Sequence, residues 1–172
     1  MLTYKEGLLS TVAHDLELRV KRFQVDVDDT THAVRATFDP ASLEVVGARR
    51  NGAVVAGLLS PKDLRQVADN IASDVLEPRR HPEVRFESSR VVEEGAGFRV
   101  TGTLFLHGRR KELTVPVRRE GARWVAEVAL HQPDFGIKPF SAMLGALKVK
   151  PGVTVRLSVP VAPHGLSVPV AS

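Results

Sequence analysis

Apolar residues fall at every second position along most of this chain, a period that places side chains alternately on the two faces of a β-strand. The final run is the cleanest: Val153, Val155, Leu157, Val159 and Val161 alternate with Thr154, Arg156, Ser158 and Pro160. The same pattern recurs in Leu16, Leu18 and Val20, in Val34, Ala36 and Phe38, and in Phe98, Val100, Leu104 and Leu106 around the small Gly102. It returns in Leu113, Val115 and Val117, and again in Trp124, Ala126, Val128 and Leu130. Short strands separated by Gly-, Pro- or charge-rich turns predict an antiparallel barrel or sandwich.

Two departures from the period carry information. After Val20 the apolar phase moves to odd positions, Phe23, Val25 and Val27. A one-residue slip would turn those side chains outward unless the strand bulges or bends, so a bend is expected near Lys21-Arg22. The second departure is one helix near residues 61–77. Ser60 suits the N-cap, Pro61 the first helical position, and Asp63 the positive end of the dipole. Leu64, Val67, Ala68, Ile71 and Val75 form one apolar stripe before Pro78 and Pro82. A lone amphipathic helix needs a surface to cover, either a sheet or the end of a barrel.

A length of 172 residues fits a single domain, read here as residues 1–161 followed by a tail, 162–172, that is expected to be loosely ordered. The chain has no cysteine, which excludes disulfides and thiolate chemistry. No window reaches the ~18 apolar residues of a membrane span. The first residues lack a secretory pattern, so the expectation is a soluble, cytoplasmic protein, or a periplasmic one if a signal has been removed. The formal charge of +4 is spread over separate pairs such as Arg49-Arg50 and Arg79-Arg80. That argues against nucleic acid as a partner and allows a weak, transient contact with an anionic membrane surface.

Catalytic signatures are absent from the sequence. Ser10 has no nucleophile elbow around it, Gly95-Ala96-Gly97 reads as a hairpin turn, and Asp28-Asp29 and Glu93-Glu94 read as exposed turns. The six histidines are dispersed without ligand spacing, so neither a metal nor any other cofactor is expected. His14 shares parity with Leu16 and Leu18 and should start on the inward face, where a satisfied rim residue is the ordinary reading and a head-group donor the functional one. His107 reads as a turn-capping histidine at a strand end. The segment 134–147 is different. Phe135, Ile137, Phe140, Met143, Leu144 and Leu147 crowd apolar surface into a stretch broken by Gly136, Pro139 and Gly145. Such a segment either plugs a core or lines a cavity, and Met143 would adapt to an irregular ligand.

Several phrases, taken in order, point further: GLLSTVAHD at 7–15, the RHPEVRF run at 80–86, VTGTL at 100–104, LHGRRKELTVPV at 106–117, and PDFGIKPFSAMLGALKVKP at 133–151. Together they resemble the YceI-like family of polyisoprenoid-binding, lipocalin-like proteins. One departure is an N-terminal strand that is short or absent. The resemblance implies an all-β fold with one or two short helices, an antiparallel eight-stranded lipocalin-like barrel. It implies a non-enzymatic carrier that holds a long polyisoprenoid or similar lipid-like amphiphile inside, and it favours a homodimer, for which the strand from Val153 could offer an edge. The expected lining is Leu16, Leu18, Val20, Phe38, Val100, Leu104, Val128, Phe135, Phe140, Met143, Val155 and Leu157, with His14 at the head group. Two other readings stand beside it: a small enzyme using His14 as acid or base with Asp15 orienting it, and a solid barrel acting as an interaction module.

Overall fold

The computed structural model describes residues 1–6, 14–142, 147–161 and 166–169. Its strands are β1 (Leu2–Glu6), β2 (Asp15–Val20), β3 (Phe23–Val27), β4 (Val34–Phe38), β5 (Leu43–Arg50), β6 (Ala53–Val54) and β7 (Val84–Glu94). They continue with β8 (Gly97–Leu106), β9 (Arg109–Glu120), β10 (Arg123–His131), β11 (Ser141–Ala142), β12 (Leu147–Pro160) and β13 (Leu166–Pro169). All pair antiparallel in one curled sheet, a half-barrel with the order β13-β3-β4-β7-β8-β9-β10-β12-β1-β2-β5-β6, while β11 pairs on β12.

Among the described residues eleven strands exceed two residues, where eight were expected. The excess has a local cause. The alternating run from Leu16 to Val27 breaks at Lys21-Arg22 into β2 and β3, where the phase slip demanded a bend. The facing chain breaks into β4 and β5 at a 3-10 turn, Pro40–Ser42. Lys21 N–H donates to Ser42 O at 3.2 Å and Asp39 N–H to Arg22 O at 3.0 Å, so both strands turn the corner together. The Arg22 guanidinium clamps Asp39 at 2.6 Å and holds its carboxyl below the usual range. The tail supplies the remaining strand, β13, which pairs on β3. β1 is short but present, and it joins β12 to β2. The strand from Val153 lies within β12, which pairs with β10 from Gly152 to Pro160 and with β1 only from Lys148 to Thr154.

The helix forms where its sequence signals place it. α1 (Pro61–Asn70) opens on a capping box in which Ser60 Oγ accepts from Asp63 N–H at 3.2 Å while Ser60 N–H donates to Asp63 Oδ2 at 3.0 Å. Hydrogen bonds from the Ser60 hydroxyl, then from its N–H, hold the Asp63 carboxyl below its usual range. This cap is therefore complete at neutral pH and is lost only as pH falls through that depressed value. A π-helical turn, Ile71–Leu76, continues α1 until Glu77, at φ 42°, ends it.

A second phase change occurs in β7. Ser88 pairs with Gly102 but Arg90 with Thr101, so Ser89 is the extra residue of a bulge. Val84 and Phe86 before the bulge and Val91 after it all turn to the interior. Gly102 is what lets β7 come so close. A Cβ there would stand 2.3 Å from Glu87 O, 2.6 Å from Phe86 Cζ and 2.7 Å from Ser88 Cα. Gly102→Ala is expected to cost about 1–3 kcal/mol or more, since two of these neighbours are backbone atoms that cannot rotate away. Thermal unfolding checks this, with a fall in Tm of roughly 2–4 °C per kcal/mol expected.

Candidate functional site

The inward faces of the strands do not meet. They enclose a cavity of about 760 Å³, inside the ~300–1,000 Å³ range typical of small-molecule sites. An interior filled by its own side chains, as a solid interaction module would need, is not what the sheet forms. The walls are aliphatic and aromatic, and each expected lining residue within the described segments faces this one space: His14, Leu16, Leu18, Val20, Phe38, Val100, Leu104, Val128, Phe135, Phe140, Val155 and Leu157. Met143 lies outside the described residues. The corner at Lys21-Arg22 has the effect its phase slip implied, because even-numbered Leu16, Leu18 and Val20 share the wall with odd-numbered Val25 and Val27.

The segment after β10 does both things its composition allowed. A 3-10 turn, Gln132–Phe135, ends at Gly136 with φ 71° and folds the chain back over the sheet. Phe135 is 1% exposed and packs with Leu104, Leu130, Ile137 and Val153 in the core cluster, yet it also touches the cavity. Half-buried Phe140 lies further out on the wall. The helix covers the space from one side through Val67, Asn70, Ile71, Val75 and Leu76. It is a cover as well as a packing element.

Polar groups gather at the cavity's ends. Lys5, His14 and Lys148 line one of them. β1 runs beside β12 with Glu6 opposite Lys148 and Lys5 opposite Val149, and the Asp15 carboxylate accepts from Lys5 N–H at 2.9 Å, which ties His14's strand to the same place. Asp15 is thereby engaged with the backbone of β1, which is not the orienting role an acid–base His14 required. Asp29 and His32 line the far end, where the His32 ring lies tilted against Phe98 at 5.6 Å and Phe98 meets Trp124 edge-on at 5.4 Å. The two lysines, Asp29 and His32 were not expected in the lining, whereas Val67, Ile71 and Val75 belong to the apolar stripe read from helical spacing. Nothing in a linear pattern brings Lys5 to Lys148.

His107 lies at the hairpin turn, where a turn-capping residue was expected. It and Gly108, with φ 51° and 72°, form the two-residue turn between β8 and β9, both in the left-handed region such turns require. Its ring packs inward against His81, 4.0 Å between centroids, and faces Glu77. Two of the dispersed histidines are thus neighbours in space.

Residues 5–161 match the sequence profile of the YceI-like domain. No curated protein matches the chain. Among solved structures, BcnA of Burkholderia cenocepacia is similar over 83% of this chain and 82% of its own, with 20% identity and a TM-score of 0.56. The YceI protein of Campylobacter jejuni gives 12% identity, 88% and 84% coverage, and a TM-score of 0.57. A polyisoprenoid binding domain from Saccharophagus degradans, implicated in plant cell wall breakdown, gives 11% identity, 91% and 88% coverage, and a TM-score of 0.56. At these identities the likeness is one of fold.

Proposed function

The chain belongs to the YceI-like domain family, and from that premise we propose that it is a binding protein rather than an enzyme, holding the apolar tail of a polyisoprenoid or similar long-chain amphiphile. One observation carries the reading: an apolar cavity of about 760 Å³ whose walls are the inward residues of the curled sheet and the covering helix. Burial of tail carbons is the driving force, about 25 cal/mol per Å² removed from water. For a chain of about 40 carbons, a ceiling near 0.3 kcal/mol per heavy atom allows roughly 12 kcal/mol, enough for tight retention.

The polar end sets orientation. Lys5 and Lys148 add positive charge beside His14, so the head group that fits best is anionic. No helix among the described residues is long and apolar enough to cross a membrane. In this reading the protein is a cytoplasmic carrier that collects and delivers its cargo by transient contact with a membrane surface. Pairing into a homodimer would use a strand edge, either β13 or β6 at the ends of the strand order or the stretch of β12 beyond Thr154, which β1 does not reach.

Native mass spectrometry of freshly purified protein, followed by organic extraction and lipid analysis, tests the proposal. A stoichiometric adduct that extracts as an isoprenoid or other long-chain amphiphile is the expected result. A clean ligand-free mass that stays unchanged after incubation with polyprenyl phosphates and quinones would sink it.

A further inference from the structure

Three side chains meet where the helix ends and the β8–β9 hairpin turns. Glu77 and His107 both hold left-handed backbone conformations, φ 42° and 51°. Residues with a Cβ rarely adopt that region, so the surrounding packing fixes the direction in which each side chain leaves the backbone. His107 Nε2 stands 3.4 Å from Glu77 Oε2, and the His81 ring lies against it at 4.0 Å. Gly108 makes room for that ring, since a Cβ there would sit 3.3 Å from His81 Cε1. One donor atom from each of the three residues lies within 4.8 Å of the others.

This cluster is incompletely satisfied as it stands. The His107 side chain is only 14% exposed, and its buried Nε2 has no hydrogen-bond partner among the described residues. The 3.4 Å approach to the carboxylate is longer than an ordinary hydrogen bond, so this pairing is weak. Arg80 Nη1 donates to Glu77 Oε1 at 2.9 Å, which steadies the carboxylate and leaves Oε2 facing the imidazole. A simple ion pair would use one imidazole, and a second stacked against it would oppose the charge.

We propose that Glu77, His81 and His107 form a site for one divalent transition-metal ion of the zinc class, held by a carboxylate oxygen and two imidazole nitrogens, with a fourth position for water or an anionic oxygen. Zinc bonds of about 2.0–2.1 Å to N and O place tetrahedral ligands about 3.4 Å apart. The His107–Glu77 pair already has that spacing, and rotation of the His81 side chain closes the remainder. Imidazole with carboxylate suits zinc, cobalt or nickel better than calcium or magnesium. Desolvation, then the neighbouring His107 and Arg80, push the His81 imidazole below its ordinary value against the opposing pull of Glu77. Leu76 and Leu106, next in sequence to two of the ligands, line the cavity, so the ion would sit at its rim.

Equilibrium dialysis of metal-free, untagged protein against zinc, with cobalt(II) as spectroscopic probe, tests this. Expected are one ion per chain, the visible bands of four-coordinate cobalt, and weaker binding at about pH 5.5 than at about pH 7.5 as imidazoles protonate. His81→Gln and His107→Gln should each weaken zinc binding at least 100-fold or so, beyond what loss of an orienting partner costs. His131→Gln, at an exposed position on β10, should leave it unchanged. Nitrogen-15 imidazole shifts of the wild-type protein keep the test independent of how the variants fold: zinc should perturb His81 and His107 first among the six histidines. No binding near one equivalent, perturbation of other histidines instead, or binding unchanged in both ligand variants would overturn the site. Lipid retention by the His81→Gln variant reads the carrier proposal separately.

Discussion

Leu157→Glu is expected to abolish ligand retention while leaving the fold in place. Leu157 sits on β12 opposite Ala126, is half-buried, and points into the cavity midway along the wall. Without ligand, the new carboxylate keeps water in a space of this size. A bound hydrocarbon tail would strip that water and leave an unpaired charge against apolar carbon, at a cost of several kcal/mol. About 4 kcal/mol corresponds to roughly a 1,000-fold loss of affinity. Leu157→Met, which conserves volume, should retain ligand to within several-fold. Leu104 offers a less informative test because it is 7% exposed and belongs to the core cluster, so a charge there attacks folding as well as binding. Quantifying lipid extracted from matched amounts of wild type, Leu157→Glu and Leu157→Met decides the matter. Full retention in the glutamate variant would mean that the cargo does not run through this cavity.

Most of that wall was legible in the sequence because parity in a strand is a local property. Leu16, Val100, Val128, Val155 and Leu157 need only the two-residue period to be assigned inward, and the phase slip at Lys21-Arg22 announced the corner that keeps Val25 and Val27 beside them. What the period cannot express is where strands end up relative to one another. Eight continuous strands became eleven because the corner breaks two of them and the tail adds β13, and β12 lies between β10 and β1 in the strand order although it comes near the end of the chain. The polar groups were the least legible. Lys5 and Lys148 meet through the β1–β12 register, and Glu77, His81 and His107 meet through two left-handed residues and a hairpin turn. Neither spacing nor composition encodes those juxtapositions.

Phe135→Ala should be the most destabilising single truncation among the residues that touch the cavity. Phe135 is 1% exposed and one of the two largest fully buried side chains, and its neighbours Leu104, Leu130, Ile137 and Val153 come from three strands and the segment that follows the 3-10 turn. Removing the ring loses its transfer free energy and leaves a void that cannot collapse. Gly136, held at φ 71° with Arg109 Nε 2.7 Å from where a Cβ would be, pins the turn in place. Truncations of this kind cost about 3–5 kcal/mol, a large part of the ~5–15 kcal/mol that holds a domain together. Urea unfolding should show the loss as a lower midpoint with an unchanged slope. Phe140→Ala, at a half-buried position further out on the wall, removes less buried surface and should cost clearly less. The contrast separates the two roles of this segment. If both truncations cost the same, or if Phe135→Ala costs under about 1 kcal/mol, the segment is a cavity wall throughout. A large loss at Phe135 with a small one at Phe140 makes the inner half of the segment a core plug on which the mouth is built.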